Sequence, residues 1–269
     1  MPSKSETIQR ATQLFDLMIS NDLSKAWLGI YQVLMWFERV SYAGYTDLPH
    51  IIDADKLRPS VSRRKKRAQQ PTVWQKRAET IQIYLSDHLN CTTEEAKKKV
   101  DLLMKHRDFK GLQRHNPLGT AFAGLTRHIL QKFSNSSLSY DLEVNANDIF
   151  PGITFPGRST TPAMDIYVSD SQGQPKAIVS VKWSVRHDRI NDLTNECPVY
   201  KAAAQRQSRI KLSYYVVTNE FDPARLSKLL QDTCFDAVVH VHKPAVTEVC
   251  GLDGRLANLK DLTDFVRML

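Results

Sequence analysis

The spacing of apolar residues changes once along this chain, near Asn135, and that change sets the fold class. Before it, Ile8, Ala11, Phe15 and Met18 recur at helical spacing, as do Trp27, Ile30, Tyr31, Leu34 and Phe37. This predicts two helices between about Ser5 and Ala43, separated at Asn21-Asp22, with Asp22 available to cap the second. Further helices are predicted over Trp74–His88, Thr93–His106 and Gly119–Phe133. The second of these has capping hydroxyls and early carboxylates in Thr92-Thr93-Glu94-Glu95, and the third has the stripe Phe122, Leu125, Ile129 and Leu130. After Asn135 the apolar residues gather into short, β-branched runs: Leu138–Val144, Ala163–Val168, Ala177–Lys182, Ser213–Thr218 and Ala237–Val241. Ser169–Gln174 has hairpin-turn chemistry, and helical stretches fall near Ala202–Arg209 and Pro223–Asp232. The expected fold is therefore α/β, a mixed central sheet flanked by helices, preceded by an N-terminal helical region. On this reading residues 1–115 are mainly helical, serving DNA binding, dimerisation or both, with a linker near 56–72, and residues 116–269 form the α/β core.

The 42% hydrophobic content suits a folded core, and the net charge of +8 favours polyanions as partners. Within the linker, Arg63-Arg64-Lys65-Lys66-Arg67 repel one another unless an anion is near. DNA phosphates, a nuclear-localisation signal and a plain solvated loop all fit. Cys91, Cys197, Cys234 and Cys250 lack CxxC spacing, which argues against a zinc ribbon and a disulfide framework and predicts reduced thiols. The opening MPSKSETIQ has no signal-peptide layout and no apolar run reaches membrane-spanning length, so a soluble intracellular protein with no membrane partner is expected.

The chemistry-bearing residues cluster between Thr161 and Glu196. Asp165 faces opposite to Met164 and Ile166 on one strand, while Ser180 and Lys182 share a face of the next. A lysine closing the apolar run Ala177–Val181 needs a carboxylate, and Asp165 on the adjacent strand is the evident one. A purely structural pair satisfies the same pattern. Arg186, Asp188, Arg189 and Glu196 then follow, a poor core but a good reader of base edges, since arginine pairs with guanine and aspartate accepts from cytosine. Trp183 and His187 fit DNA contacts, and equally a core ring and a loop residue. Lys201, Arg206, Arg209 and Lys211 fit a DNA channel or a solvated helix surface. His240 and His242, two apart on a strand, read as sheet-edge histidines rather than metal ligands. Cys197 reads as a small core residue, and Trp27–Phe37 as core or a dimer interface.

The string Ser180-Val-Lys182-Trp-Ser-Val-Arg186-His-Asp188-Arg189, with Glu196 after six intervening residues, resembles a signature of type II restriction endonucleases that cut CCGG-containing sites. Relatives that cut CCNGG-type sites share much of it. These enzymes have the PD-(D/E)xK nuclease fold, with SxK where most relatives carry ExK and the missing acid supplied by a downstream helix. The resemblance spans Pro162–Glu196 and departs from the family at Met164, where a proline normally precedes the aspartate. It implies that Asp165, Glu196 and the main-chain oxygen of Val181 hold Mg2+, and that Lys182 orients or activates the attacking water. It also implies that Arg186 and Asp188 read the inner G·C pairs, and that Arg189 opens an R-x6-E element. Ser180, Trp183, His187 and Arg189 become DNA contacts, and Glu143 or Glu79 the further acid. The implied partners are double-stranded DNA and a second copy or three further copies of the chain, in the cytoplasm of a prokaryotic cell. A PD-(D/E)xK nuclease without sequence specificity and a catalytically silent DNA-binding protein remain open on the residues alone.

Overall fold

A computed structural model describes residues 4–19, 21–41, 117–185, 187–250 and 254–269. The helices expected over Trp74–His88 and Thr93–His106, the linker near 56–72, Glu79 and Arg186 lie outside the described residues. The chain divides into two compact units, Phe122–Lys243 with Asp253–Leu269 forming one, and Met1–Ala121 with Pro244–Leu252 the other.

In the N-terminal unit, α1 (Lys4–Met18) and α2 (Ala26–Ser41) are joined through a single 3-10 turn, Leu23–Lys25. Asp22 caps that turn rather than α2 itself, accepting from the Ser24 amide at 3.0 Å. The two helices bury Ala11, Leu14 and Phe15 of α1 and Ile30, Tyr31, Val33 and Leu34 of α2. Gly29 permits the approach, since a Cβ there would fall 2.5 Å from Ile19 Cγ1 and 2.6 Å from Phe15 Cε2. Trp27 and Tyr31 are both buried and meet edge to face, 5.8 Å between ring centres. This part of the aromatic stripe is core, not an exposed dimer surface.

In the C-terminal unit the second part of α3 (Pro117–Phe133) leads into a mixed sheet of six strands in the order β1 to β6. The strands are β1 (Leu138–Asn145), β2 (Ala163–Asp170), β3 (Pro175–Lys182), β4 (Ser213–Thr218), β5 (Ala237–His240) and β6 (Lys260–Asp261). The first three pair antiparallel and the rest parallel, with Ser180 level with Val216 and Lys182 level with Thr218. Val179, Val181, Val216, Val217, Val238 and Val239 are all buried, as expected for strands covered on both faces. The β2–β3 hairpin closes as its composition predicts: the Asp170 carboxylate accepts from the Gln172 and Gln174 amides, each at 2.9 Å, and Gly173 takes a φ of 75°. The short helix α4 (Ala146–Ile149) follows β1.

Helix α5 (His187–Ser208) runs unbroken where the sequence suggests a turn and a separate later helix. Ile190, Leu193, Cys197, Tyr200 and Ala204 form one buried stripe at spacings of three and four, and that stripe carries the helix through Pro198. Cys197 is joined to Cys234, ahead of β5, by a disulfide, which corrects the expectation of reduced thiols for this pair. The two cysteines are 37 positions apart, so their meeting depends on packing and no spacing rule announces it. Helix α6 (Pro223–Leu230) is capped by Asp222, α7 covers Lys243–Cys250, and α8 (Leu262–Met268) is capped by Asp261. His240 is fully buried against the Phe221 ring, and His242 lies beyond the end of β5, which corrects the expectation of sheet-edge histidines. Among the described residues no helix is long and apolar enough to cross a membrane.

Candidate active site

Asp165 is set by the pleat of β2. Its neighbours Met164 and Ile166 point into the core, and its own side chain is left half-buried on the opposite face. Three donors from β3 converge on one oxygen, Oδ2: Ser180 Oγ at 3.0 Å, the Val181 amide at 2.8 Å, and Lys182 Nζ. None of these three donors engages the second oxygen, Oδ1. Val181 contributes its N–H here, so its amide aligns Asp165 whatever its carbonyl does.

Glu196 reaches the same place from α5. Asp165, Ser180, Lys182, Arg189 and Glu196 all line one cavity, together with Arg158, Asp192, Tyr200, Tyr214 and several apolar residues. Burial raises the Glu196 carboxyl above its usual range, outweighing the Arg158 and Lys182 charges that pull it down. Burial likewise raises the phenols of Tyr200 and Tyr214, assisted by the Glu196 and Asp165 charges, so both stay neutral hydroxyls.

Two residues of this cavity are not evident from sequence. Arg158, on the loop before β2, places Nη2 2.6 Å from Glu196 Oε1 and 3.2 Å from Asp192 Oδ1. Asp192 also accepts from Arg189 Nη1 at 3.1 Å. The repeat Arg189, Asp192, Glu196 at helical spacing could have signalled one charged face on α5. Nothing local signals Arg158. Among the described residues the charges lining the cavity balance: Asp165, Asp192 and Glu196 against Lys182, Arg158 and Arg189.

A third missed residue organises the approach to α5. Glu220, 1% exposed at the side chain, accepts from the Val185 amide at 2.8 Å and from the Phe221 and Asp222 amides at 3.0 Å each, and pairs with Arg225 at 3.2 Å. The Asn219 amide also donates to the Trp183 carbonyl at 3.1 Å. The segment entering the Arg186–Arg189 stretch is thus tied to the loop after β4.

Of the other expected contacts, Asp188 is exposed in the first turn of α5, where a carboxylate complements the helix dipole. His187 opens that helix. Trp183 is corrected: it is buried edge-on against Phe122, 5.3 Å between ring centres, and is a core ring rather than a stacking platform. Glu143 lies between the pairs Leu142–Ile166 and Val144–Met164, opposite Asp165, with a left-handed φ of 53°, but it is exposed and does not line the cavity. Lys201 is held by Asp236 at 2.7 Å and by the Cys234 carbonyl at 2.6 Å.

Asp165 and Glu196 are the residues of this cavity that could hold a hard divalent cation. Asp165 and Glu196 each offer a carboxylate oxygen beyond those already engaged. Among the described residues no group of three or more His, Cys, Asp or Glu is placed to hold a metal ion.

No family model matches the sequence, and no curated protein matches it. Among solved structures, the complex of restriction endonuclease PspGI with substrate DNA is similar at a TM-score of 0.46 and 11% identity, over 99% of this chain and 91% of that one.

Proposed function

We propose that this chain is a Mg2+-dependent DNA endonuclease, a type II restriction enzyme that cuts both strands at a short palindromic site containing CCGG. One observation carries the reading. Asp165, the Ser180–Lys182 pair and Glu196, spaced in sequence as in the restriction-enzyme signature, line one cavity with the lysine anchored on Asp165. An ion pair built only for stability needs neither a second carboxylate nor a cavity.

The residues divide the work by position. Asp165 and Glu196 would hold the cation, with the Val181 carbonyl as the further ligand that the family resemblance implies. When bound, Mg2+ supplies charge neutralisation at the phosphate and a more acidic water. Asp165 keeps the Lys182 ammonium at the cavity, where it offsets charge that builds on the phosphate during hydrolysis. Ser180 and the Val181 amide fix the Asp165 rotamer, so the carboxylate is set before DNA arrives. Arg186 and Asp188 read guanine and cytosine edges. A palindrome is matched most simply by a two-fold homodimer, with a tetramer as its doubling.

Digestion of a phage-sized DNA with purified protein and Mg2+, followed by sequencing of the fragment ends, tests this. Discrete fragments whose ends share CCGG are expected. A smear would replace the reading with a non-specific nuclease, and intact but gel-shifted DNA with a silent binder.

A further inference from the structure

The carboxylates of α5 are already occupied by a cation belonging to the chain. Arg158 stands on the loop between α4 and β2, where its amide donates to the Phe155 carbonyl at 3.2 Å. That loop is firmly seated. Phe150, Ile153 and Phe155 are buried, Phe155 packs edge-on against Tyr200 at 5.1 Å, and Gln207 of α5 donates to the Pro151 carbonyl at 3.0 Å. The guanidinium bridges Glu196 and Asp192, two like charges one helical turn apart that repel each other without it. With Lys182 engaged by Asp165 and Arg189 by Asp192, the charges of the described residues lining the cavity cancel with no added ion.

Resting on the nuclease reading, we propose that Arg158 guards Glu196. It holds the carboxylate while DNA is absent and yields it to a divalent cation when a DNA phosphodiester takes over the guanidinium. A divalent cation entering the neutral cavity brings a net charge of two, and the phosphodiester supplies part of the offset. A guanidinium fork matches phosphate oxygens as well as carboxylate oxygens, so the exchange conserves its hydrogen bonds. The Arg158 side chain is 30% exposed, so it can turn from one partner to the other while the buried aromatic anchors keep the loop in place. Cation binding and DNA binding thereby become coupled through one side chain.

The test measures Mn2+ binding to the full-length, DNA-free protein by the loss of the free-ion EPR signal. Arg158→Gln is expected to tighten Mn2+ binding at least about ten-fold, the effect of removing a cation from contact with the ligand carboxylate. Arg158→Lys, which keeps the charge, is expected to bind as weakly as the wild type. The double variant Arg158→Gln/Glu196→Gln is expected to lose the gain. Unchanged or weaker Mn2+ binding by Arg158→Gln overturns the guard, as does a gain that persists without Glu196 or appears equally in Arg158→Lys. DNA left intact by the wild type refutes the nuclease reading alone, because the Mn2+ affinities are measured without DNA.

Discussion

Replacing Glu220 by glutamine probes how the entry to α5 is held. The amide keeps one oxygen, which can go on accepting from the Phe221 and Asp222 amides now at 3.0 Å. Its NH2 takes the place of Oε2, which accepts from the Val185 amide at 2.8 Å and from Arg225 at 3.2 Å. Two donors then face a donor, and turning the amide over transfers the mismatch to Phe221 and Asp222. The Arg225 guanidinium also loses its counter-charge at a side chain only 1% exposed. Breaking a buried charged pair in this way costs about 3–5 kcal/mol. With a urea dependence of about 2–3 kcal/mol per molar, the unfolding midpoint should fall by about 1–2.5 M. Amide hydrogen exchange should report the same event locally, as faster exchange at Val185. A midpoint shift below about 0.3 M would refute the role assigned to Glu220. So would a full shift with Val185 still protected, since destabilisation would then arise elsewhere.

Four further outcomes are expected. Asp165→Ala or Lys182→Ala should abolish Mg2+-dependent cleavage while leaving binding to the cognate duplex largely intact in a gel shift. Loss of the folded state by circular dichroism would instead make the pair structural. Gly29→Ala places a methyl 2.5 Å from Ile19 and should cost about 1–3 kcal/mol of overpacking, read as a lower Tm; an unchanged Tm would contradict the close approach of α1 and α2. The Cys197–Cys234 disulfide closes a loop of 37 positions, for which chain entropy predicts about 4 kcal/mol, so reductant should lower the urea midpoint of the wild type but not of Cys234→Ser. Equal midpoints with and without reductant would count against the crosslink. Glu196 has a pKa raised chiefly by burial, so its contribution to stability is present in acid and is lost as pH rises through the raised value. Glu196→Gln should therefore melt above the wild type at pH 8 and converge with it at about pH 4, near the reference value for glutamate; a lower melting point at pH 8 would reverse that sign.

Much of the fold was legible because strands and hairpins are local. Alternation around Asp165 fixes its face through the pleat, and the buried-lysine argument pairs Lys182 with it without reference to any distant segment. The same logic marked the Asp170–Gly173 turn and the Asp22 cap, although the cap serves the 3-10 turn. Strand β6, only Lys260–Asp261, is too short to carry a period, and α5 continues through Pro198, which has no N–H for a helical bond.

What sequence by itself determined is the order of elements in the α/β core and the side of the hairpin on which Asp165, Ser180 and Lys182 meet. Only the tertiary structure decided that Arg158 neutralises Glu196, that Cys197 bonds Cys234, that Glu220 ties the Val185 turn, and that Trp183 faces Phe122. The physical reason lies in range. A strand's faces follow from a two-residue period, whereas these four contacts join segments separated in the chain by tens of residues. Such contacts form only because α5, the loop before β2 and the loop after β4 are packed against the same sheet, and burial there leaves each polar group dependent on the partner brought to it.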